Sequence, residues 1–197
     1  MEQKGFVVWF TGLPCSGKTT IARGVKRILE EKGMDMELLD GDIIRDYIKN
    51  KDFSQEGRNK HLRYIAVMAK LLAKRNAGVL CSFISPYREN RDFARSICEN
   101  FIEVYVKAPI EECIKRDVKG MYKLAKEGKI KGFTGIDDPY EEPLKPEVVV
   151  ETDKESPEES TGKVLDKLKS LGLIEEGYTK EEEEEIKKRL KDLGYIE

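Results

Sequence analysis

The 197-residue sequence lacks any long apolar run, and this absence excludes a membrane-spanning protein. No stretch approaches the roughly 20 apolar residues that a helix needs to cross a bilayer. The N-terminus, MEQKGFVVWF, also lacks the charged, apolar and small-residue regions of a secretory signal. We therefore expect a cytoplasmic protein with no membrane partner.

An excess of charge of one sign is also missing, as are paired cysteines. The chain has 36 Lys and Arg against 38 Asp and Glu, a formal net charge of −2. That balance argues against a nucleic-acid polymer as partner, while it allows a local basic pocket. The four cysteines (Cys15, Cys81, Cys98 and Cys113) form no CxxC motif, and no potential metal ligands cluster around the single histidine, His61. We expect reduced thiols and no structural zinc.

Short apolar runs alternate with segments of helical periodicity. The runs predict strands at 6–10, 36–39, 79–84, 101–106 and 147–150. The segments between them predict helices at 18–31, 61–75, 88–99 and 111–117, and the chain becomes helical again after residue 156. Continuous apolar strands are typical of a parallel sheet that is covered on both faces. The alternation therefore predicts an α/β domain with a doubly wound parallel sheet.

Two segments do not follow this alternation. Residues 119–146 are rich in glycine and proline but also carry Lys, Tyr and Phe, which favours a functional lid over a passive loop. The last residues, 175–197, contain a capping box formed by Thr179 and Glu182 and several i,i+4 charge pairs. We predict a main domain over 1–174, with a lid at about 119–146, followed by a C-terminal helical appendage over 175–197.

Residues 12–20 read GLPCSGKTT and match the phosphate-loop pattern G-x-x-x-x-G-K-[ST] between a predicted strand and a predicted helix. Glycines let successive N–H groups point at phosphate oxygens, and the following helix adds its positive end. Lys18 can reach the β and γ phosphates, and the Thr19 hydroxyl can ligate Mg²⁺. We predict a nucleotide site formed by Gly12, Leu13, Pro14, Cys15, Ser16, Gly17, Lys18, Thr19 and Thr20.

The absence of a guanine-selecting N-K-x-D motif excludes a GTPase switch, and an ATPase motor would be larger. A small-molecule kinase remains, and it needs a second pocket beyond the carboxyl ends of the strands. The segment LDGDIIR (39–45) can supply it, with carboxylates to order Mg²⁺ or orient a hydroxyl and an arginine to hold an anion. An ordinary helix cap made by Asp40 or Asp42 explains the same residues equally well. Phe53 and Phe133 can stack on a purine, or each can be a core residue.

These motifs resemble, in order, those of the adenylylsulfate kinase (APS kinase) family. The resemblance covers about residues 4–174 and rests on GLPCSGKTT, LDGDIIR, FSQEGR, SFISPYRENR, FIEVYVKAP, RDVKGMYKLA and KGFTGIDDPYEEP. It implies an α/β P-loop kinase that uses ATP and Mg²⁺. The reaction it implies moves the γ-phosphoryl of ATP to the 3′-hydroxyl of adenosine 5′-phosphosulfate. It also implies a homodimer.

The resemblance implies roles for individual residues. Thr19 and Asp40 would lie at the metal, and Lys18, Asp40, Asp42 and Ser85 would form the catalytic set, with Asp42 as base or orienting group. Family descriptions give the serine equivalent to Ser85 as a phosphoserine intermediate, although in-line transfer requires only positioning and charge stabilisation. The implied acceptor-binding residues are Asp42, Arg45, Phe53, Arg58, His61, Ile84, Ser85, Lys119, Gly132 and Phe133.

Departures from the family pattern leave two alternatives open. Ile43 and His61 replace asparagines that family members usually carry, and the stretch before Phe53 is slightly shorter. These differences motivate a P-loop kinase with another nucleotide-like alcohol as acceptor, such as a cytidine derivative. A nucleotide-binding regulatory domain with an inactive site is the non-enzymatic alternative.

Overall fold

A computed structural model describes residues 3–175. It contains a five-stranded parallel sheet with the strand order β2-β3-β1-β4-β5. The strands are β1 (Phe6–Thr11), β2 (Met36–Asp40), β3 (Gly78–Ser82), β4 (Phe101–Lys107) and β5 (Val148–Glu151). All five strands were predicted, with ends within two residues of those observed. The predicted appendage lies outside the described residues, apart from Glu175.

Seven helices accompany the sheet in the described part of the chain: α1 (Lys18–Glu31), α2 (Gly41–Tyr47), α3 (Gln55–Ala73), α4 (Arg88–Ile97), α5 (Ile110–Arg116), α6 (Met121–Lys126) and α7 (Pro157–Ser170). Helix α6 was not predicted, and α2 was anticipated only through the alternative interpretation of Asp40 or Asp42 as a helix cap. Helix α3 begins six residues before the predicted start at 61, because the Ser54 hydroxyl accepts a hydrogen bond from the Gly57 N–H and caps it there. No helix within residues 3–175 is long and apolar enough to cross a membrane.

Strand β1 is buried along its whole length and divides its side chains between two cores. Phe6, Val8 and Phe10 pack with the apolar sides of α1 and α7. Val7 and Trp9 pack on the other face, with side chains from α3 and α4. Helices therefore cover both faces of the sheet, as in a doubly wound fold. The carboxyl ends of β1, β2 and β3 meet at one edge, where the phosphate loop also lies.

Candidate active site

The phosphate loop between β1 and α1 has the backbone that its glycines predict. Gly12 has φ 154°, and a Cβ at this position would lie 2.3 Å from the Val106 carbonyl oxygen. Gly17 has φ 102° and precedes α1, and within the described residues no side chain caps this helix. The first-turn N–H groups of α1 therefore remain available to an anion. Cys15 has φ 61°, a left-handed conformation that glycine adopts more easily.

Lys18 is buried beside the backbone of its own loop. Its ammonium group donates to the Gly12 carbonyl (3.0 Å), the Leu13 carbonyl (2.6 Å) and the Ser16 hydroxyl (3.4 Å). Burial lowers the pKa of Lys18 to about 8, because desolvation disfavours the protonated amine. The loop thus holds a cation surrounded by uncharged oxygens, which is an arrangement suited to an incoming phosphate.

Groups distant in sequence fix the loop backbone. Thr152 accepts from the Arg116 guanidinium (3.0 Å) and donates to the Ser16 carbonyl (2.8 Å). On the other side of the loop, the Tyr122 hydroxyl donates to the Pro14 carbonyl (3.1 Å). These contacts join the loop to α5, to α6 and to the residue after β5.

Asp40 fits both interpretations given above, a helix cap and a carboxylate placed to bind a metal. Its Oδ1 accepts from the N–H groups of Asp42 (3.0 Å) and Ile43 (3.4 Å), and so caps α2. Its Oδ2 accepts from the Thr19 hydroxyl (2.7 Å). Ser82, at the end of β3, places its hydroxyl 3.0 Å from Thr19 Oγ1. The structure therefore brings together Thr19 and Asp40, the two predicted metal ligands, as hydroxyl and carboxylate oxygens of the kind that Mg²⁺ binds.

Asp42 projects from the first turn of α2 and is exposed. Its carboxylate lies 2.5 Å from the Lys119 ammonium, which belongs to the predicted lid. Two residues separated by 77 positions, both assigned to the acceptor site from the sequence, are thus paired.

Arg58 connects α3 to the predicted lid. Its guanidinium donates to the Thr134 hydroxyl (3.0 Å), to the Asp138 carboxylate (2.5 Å) and to the Gly132 carbonyl. Asp138 also accepts from the Tyr87 hydroxyl (2.7 Å). The side chains of Arg58 and Asp138 are only 12% and 16% exposed, so this ion pair is largely shielded from water. The predicted acceptor-binding arginine is therefore occupied by the lid segment in this structure.

The two predicted stacking rings have separate protein partners. Phe53 is 57% exposed, and the Arg45 guanidinium lies 4.5 Å from its ring centre. Phe133 packs edge-on against Tyr122, with ring centres 4.9 Å apart. Burial and the neighbouring charge of Arg58 lower the pKa of Arg45.

His61 is a buried group whose polar atoms lack partners. It is 2% exposed, and neither ring nitrogen has a hydrogen-bond partner among residues 3–175. Its ring lies 6.0 Å from that of Phe83 in an edge-on arrangement. Burial, followed by the nearby charge of Arg45, lowers the pKa of His61 to about 4. The imidazole is therefore neutral at pH 7 and can recognise a ligand through a hydrogen bond but not through a positive charge.

The segment after β3 is held from inside the protein. The Ile84 carbonyl accepts from the Thr11 hydroxyl (2.8 Å), and the Ser85 carbonyl accepts from the Arg91 guanidinium (2.5 Å). Ser85 is 2% exposed, and its hydroxyl accepts from the Trp9 indole N–H (3.0 Å). Its hydroxyl thus has a structural partner in the core.

Sequence reasoning gave no individual role to several residues that organise the site. They are Ser82, Tyr87, Tyr122, Asp138 and Thr152. Four of them lie within the motifs quoted above, which do not indicate their contacts: Ser82, Tyr87, Tyr122 and Asp138. Thr152 lies in no such motif and directly follows β5, at the sheet edge where sites of this fold form.

A phosphate loop at the carboxyl edge of a parallel sheet, with a buried lysine and a hydroxyl–carboxylate pair beside it, defines a P-loop kinase. The family model described as adenylylsulphate kinase matches residues 4–151. The chain belongs to the adenylylsulphate kinase family.

Individual relatives agree with the family match. A protein from Halothermothrix orenii named adenylyl-sulfate kinase is 51% identical over 174 residues, which cover 88% of this chain and 94% of the relative. A protein of the same name from Picosynechococcus is 50% identical over 175 residues, which cover 88% of this chain and 99% of the relative.

Solved structures described as APS kinases are also similar to this chain. The APS kinase of Mycobacterium tuberculosis in complex with AMPPNP and APS has a TM-score of 0.81 at 39% identity, covering 85% of this chain and 99% of that one. A structure described as a hexameric APS kinase from Thiobacillus denitrificans has a TM-score of 0.68 at 29% identity, covering 89% of this chain and 31% of that one.

Proposed function

We propose that this chain transfers the γ-phosphoryl group of ATP to the 3′-hydroxyl of adenosine 5′-phosphosulfate, giving 3′-phosphoadenylylsulfate and ADP. The observation that carries the proposal is the similarity, over 85% of the chain, to a kinase bound to both AMPPNP and APS. The paired Asp42 and Lys119, beside the phosphate loop, support it from the geometry.

On the donor side, the loop N–H groups and the Lys18 ammonium bind the phosphates of ATP. Lys18 exchanges its carbonyl partners for phosphate oxygens and stabilises the charge that develops during transfer. Thr19 and Asp40 are the residues that would hold a magnesium ion, which, when bound, would supply positive charge against the phosphate oxygens of ATP.

On the acceptor side, Asp42 orients the 3′-hydroxyl and accepts its proton as the oxygen bonds to the γ-phosphorus and the bond to the β,γ-bridging oxygen breaks. Arg45 and Arg58 recognise the phosphosulfate, and Phe53 and Phe133 stack on the adenine. His61 supplies a hydrogen bond from its neutral ring. The backbone of Ile84 and Ser85, together with Gly132, completes the pocket.

Residues 119–146 act as a lid over the acceptor in this proposal. Lys119 at one end contacts Asp42, and the 132–138 region contacts Arg58. A lid that closes over both substrates excludes water and so prevents loss of the phosphoryl group to hydrolysis. Because Arg58 is already bonded to the lid, acceptor binding requires these hydrogen bonds to rearrange.

The proposal is tested with the purified full chain, Mg·ATP and adenosine 5′-phosphosulfate. We expect ADP release in a coupled assay and one 3′-phosphoadenylylsulfate per ADP by ion-exchange chromatography. Lys18→Ala should abolish turnover, whereas the matched control Lys26→Ala, on the same helix but paired with Glu30 at the surface, should retain it. Product formation by Lys18→Ala at the rate of the unmodified chain would contradict the assignment.

The same assay separates the alternatives. Absence of a response to adenosine 5′-phosphosulfate, with ATP consumption on another nucleoside alcohol, would favour the different-acceptor kinase. ATP binding without any product after long incubation would favour the regulatory domain.

We also propose that the chain forms a homodimer through α3. Four apolar side chains on its outward face, Tyr64, Val67, Met68 and Leu71, are 40–60% exposed. Such a patch on a highly charged surface is typical of an interface, and a second copy can bury it. Light scattering should give a dimer mass for the unmodified chain and a monomer mass for Met68→Glu. The control Leu171→Glu, an exposed position after α7, should stay dimeric; a monomeric unmodified chain would refute this interface.

We further propose a cytoplasmic location. ATP as donor and four cysteines with free thiols fit a reducing compartment. Fractionation of source cells, followed by immunodetection of the chain, checks this.

A further inference from the structure

A serine outside the predicted metal set lies beside Thr19 of the phosphate loop. Ser82 ends β3 and pairs in register with Asp40, which ends β2. Its hydroxyl lies 3.0 Å from Thr19 Oγ1, and Ser82 and Asp40 are 4% and 6% exposed. Three oxygens from β2, β3 and α1 therefore form one cluster, in which Ser82 and Asp40 are buried and Thr19 is partly buried.

The hydrogen atoms of this cluster can be assigned by counting. Thr19 has one hydroxyl hydrogen, and it donates that hydrogen to the Asp40 carboxylate, which can only accept. The Ser82 hydroxyl must therefore be the donor in its bond to Thr19. This arrangement orients Thr19 from two sides, and no group within residues 3–175 donates to the lone pairs of the Ser82 hydroxyl.

The separations in the cluster suit a small cation. Thr19 Oγ1 lies 2.7 Å from Asp40 Oδ2 and 3.0 Å from Ser82 Oγ. Neighbouring oxygens around an octahedral Mg²⁺ lie about 2.9 Å apart, given Mg–O distances of about 2.05 Å. Mg²⁺ favours oxygen ligands and keeps several bound waters, and one carboxylate with two hydroxyls can serve either as such ligands or as hydrogen-bond partners of the bound water.

We propose that Ser82 is a positioning residue of the donor-metal site. It orients the Thr19 hydroxyl before the cation binds and accepts a hydrogen bond from metal-bound water, or ligates the cation itself, afterwards. The inference rests on the proposed phosphoryl transfer from ATP, but it concerns the donor half alone and does not depend on the identity of the acceptor.

The test measures Mn²⁺ binding to the full chain with saturating AMPPNP and no acceptor, by electron paramagnetic resonance. We expect Ser82→Ala to weaken Mn²⁺ binding about tenfold, the lower end of the effect of removing an outer partner of a metal ligand. The matched control is Ser160→Ala, which removes another buried hydroxyl bonded to a carboxylate, that of Glu155 just before α7. This control should bind Mn²⁺ as the unmodified chain does.

A second variant protects the test against simple unfolding. Ser82→Cys should lower the affinity for Mg²⁺ more than the affinity for Cd²⁺, a change of metal preference that a packing defect does not produce, and Cd²⁺ binding tighter than that of the unmodified chain would identify residue 82 as a direct ligand. Equal metal affinities for Ser82→Ala, Ser160→Ala and the unmodified chain, with no change of preference in Ser82→Cys, would overturn the inference. If the chain fails to phosphorylate adenosine 5′-phosphosulfate but Ser82→Ala still weakens Mn²⁺ binding, the proposed function fails and the inference stands.

Discussion

The pKa of Lys18 predicts that nucleotide binding takes up protons above neutral pH. In the free protein, burial lowers this pKa from 10.5 to about 8, and the ammonium contacts only uncharged oxygens among those described. Bound phosphates place negative charge beside the amine and raise its pKa again. The bound state therefore holds more protons than the free state between these values, so affinity falls as the pH rises through 8.

The size of the effect follows from the fraction of free protein whose Lys18 is neutral. With a pKa of about 8 that fraction, and hence the proton uptake per nucleotide, is about 0.1 at pH 7, about 0.5 at pH 8 and about 0.9 at pH 9. Because only the protonated form binds phosphate well, apparent affinity at pH 9 should be about tenfold weaker than at pH 7.

Isothermal titration calorimetry measures this uptake directly. Mg·ATP is titrated into the full chain without acceptor, at each pH, in two buffers of different ionisation enthalpy. The difference in heat gives the number of protons taken up. Lys26→Ala should behave as the unmodified chain, whereas Lys18→Met should bind weakly and take up none. Uptake that does not change with pH, or that persists in Lys18→Met, would refute the reasoning.

Three further predictions concern other parts of the site. His61→Leu should raise the free energy of unfolding at pH 7 by about 1–3 kcal/mol in urea titrations, because it removes two buried nitrogens without partners. Relative to this variant, the unmodified chain should lose stability as the pH falls from 6.5 to about 4, because the unfolded chain binds a proton at His61 that the folded chain excludes. The same pH dependence of the free energy of unfolding in both chains would contradict this. Arg58→Ala should destabilise the chain by about 3 kcal/mol and speed amide exchange in residues 132–138, because it leaves the Asp138 carboxylate without its cation; unchanged exchange would show that the lid is held elsewhere. Ser85→Ala should cost about 1–3 kcal/mol of stability by leaving the Trp9 indole N–H unpaired, yet still transfer phosphoryl groups; loss of transfer in Ser85→Ala, together with an acid-stable phosphoserine at position 85 of the unmodified chain in quenched reactions, would contradict the second part.

The sheet could be predicted because each buried strand carries its own signal. A strand covered on both faces is a continuous apolar run, and β1 shows this most clearly. Short helices carry weaker signals: α2 and α6, of seven and six residues, have no buried apolar stripe long enough to show a period. The start of α3 was missed because its first turn is polar, and the capping residue Ser54 is a single local contact.

The site could be predicted in its residue types but not in its pairings. The pattern of residues 12–20 determined the loop, because its glycines and lysine serve one backbone geometry. By contrast, Ser82 and Thr19 are 63 positions apart, and Arg58 and Asp138 are 80 positions apart. Such contacts depend on which strands are neighbours and on where each strand ends, and neither property is local to a sequence motif.

Asp40 contacts both the phosphate loop and the start of α2. One of its carboxylate oxygens contacts the donor loop at Thr19, and the other fixes the first turn of α2, from which Asp42 projects. A cation at the proposed metal site would pull on the same carboxylate that caps α2, the helix that carries Asp42, the proposed base. The proposed donor and acceptor sides are thus joined through a single side chain, two residues before Asp42.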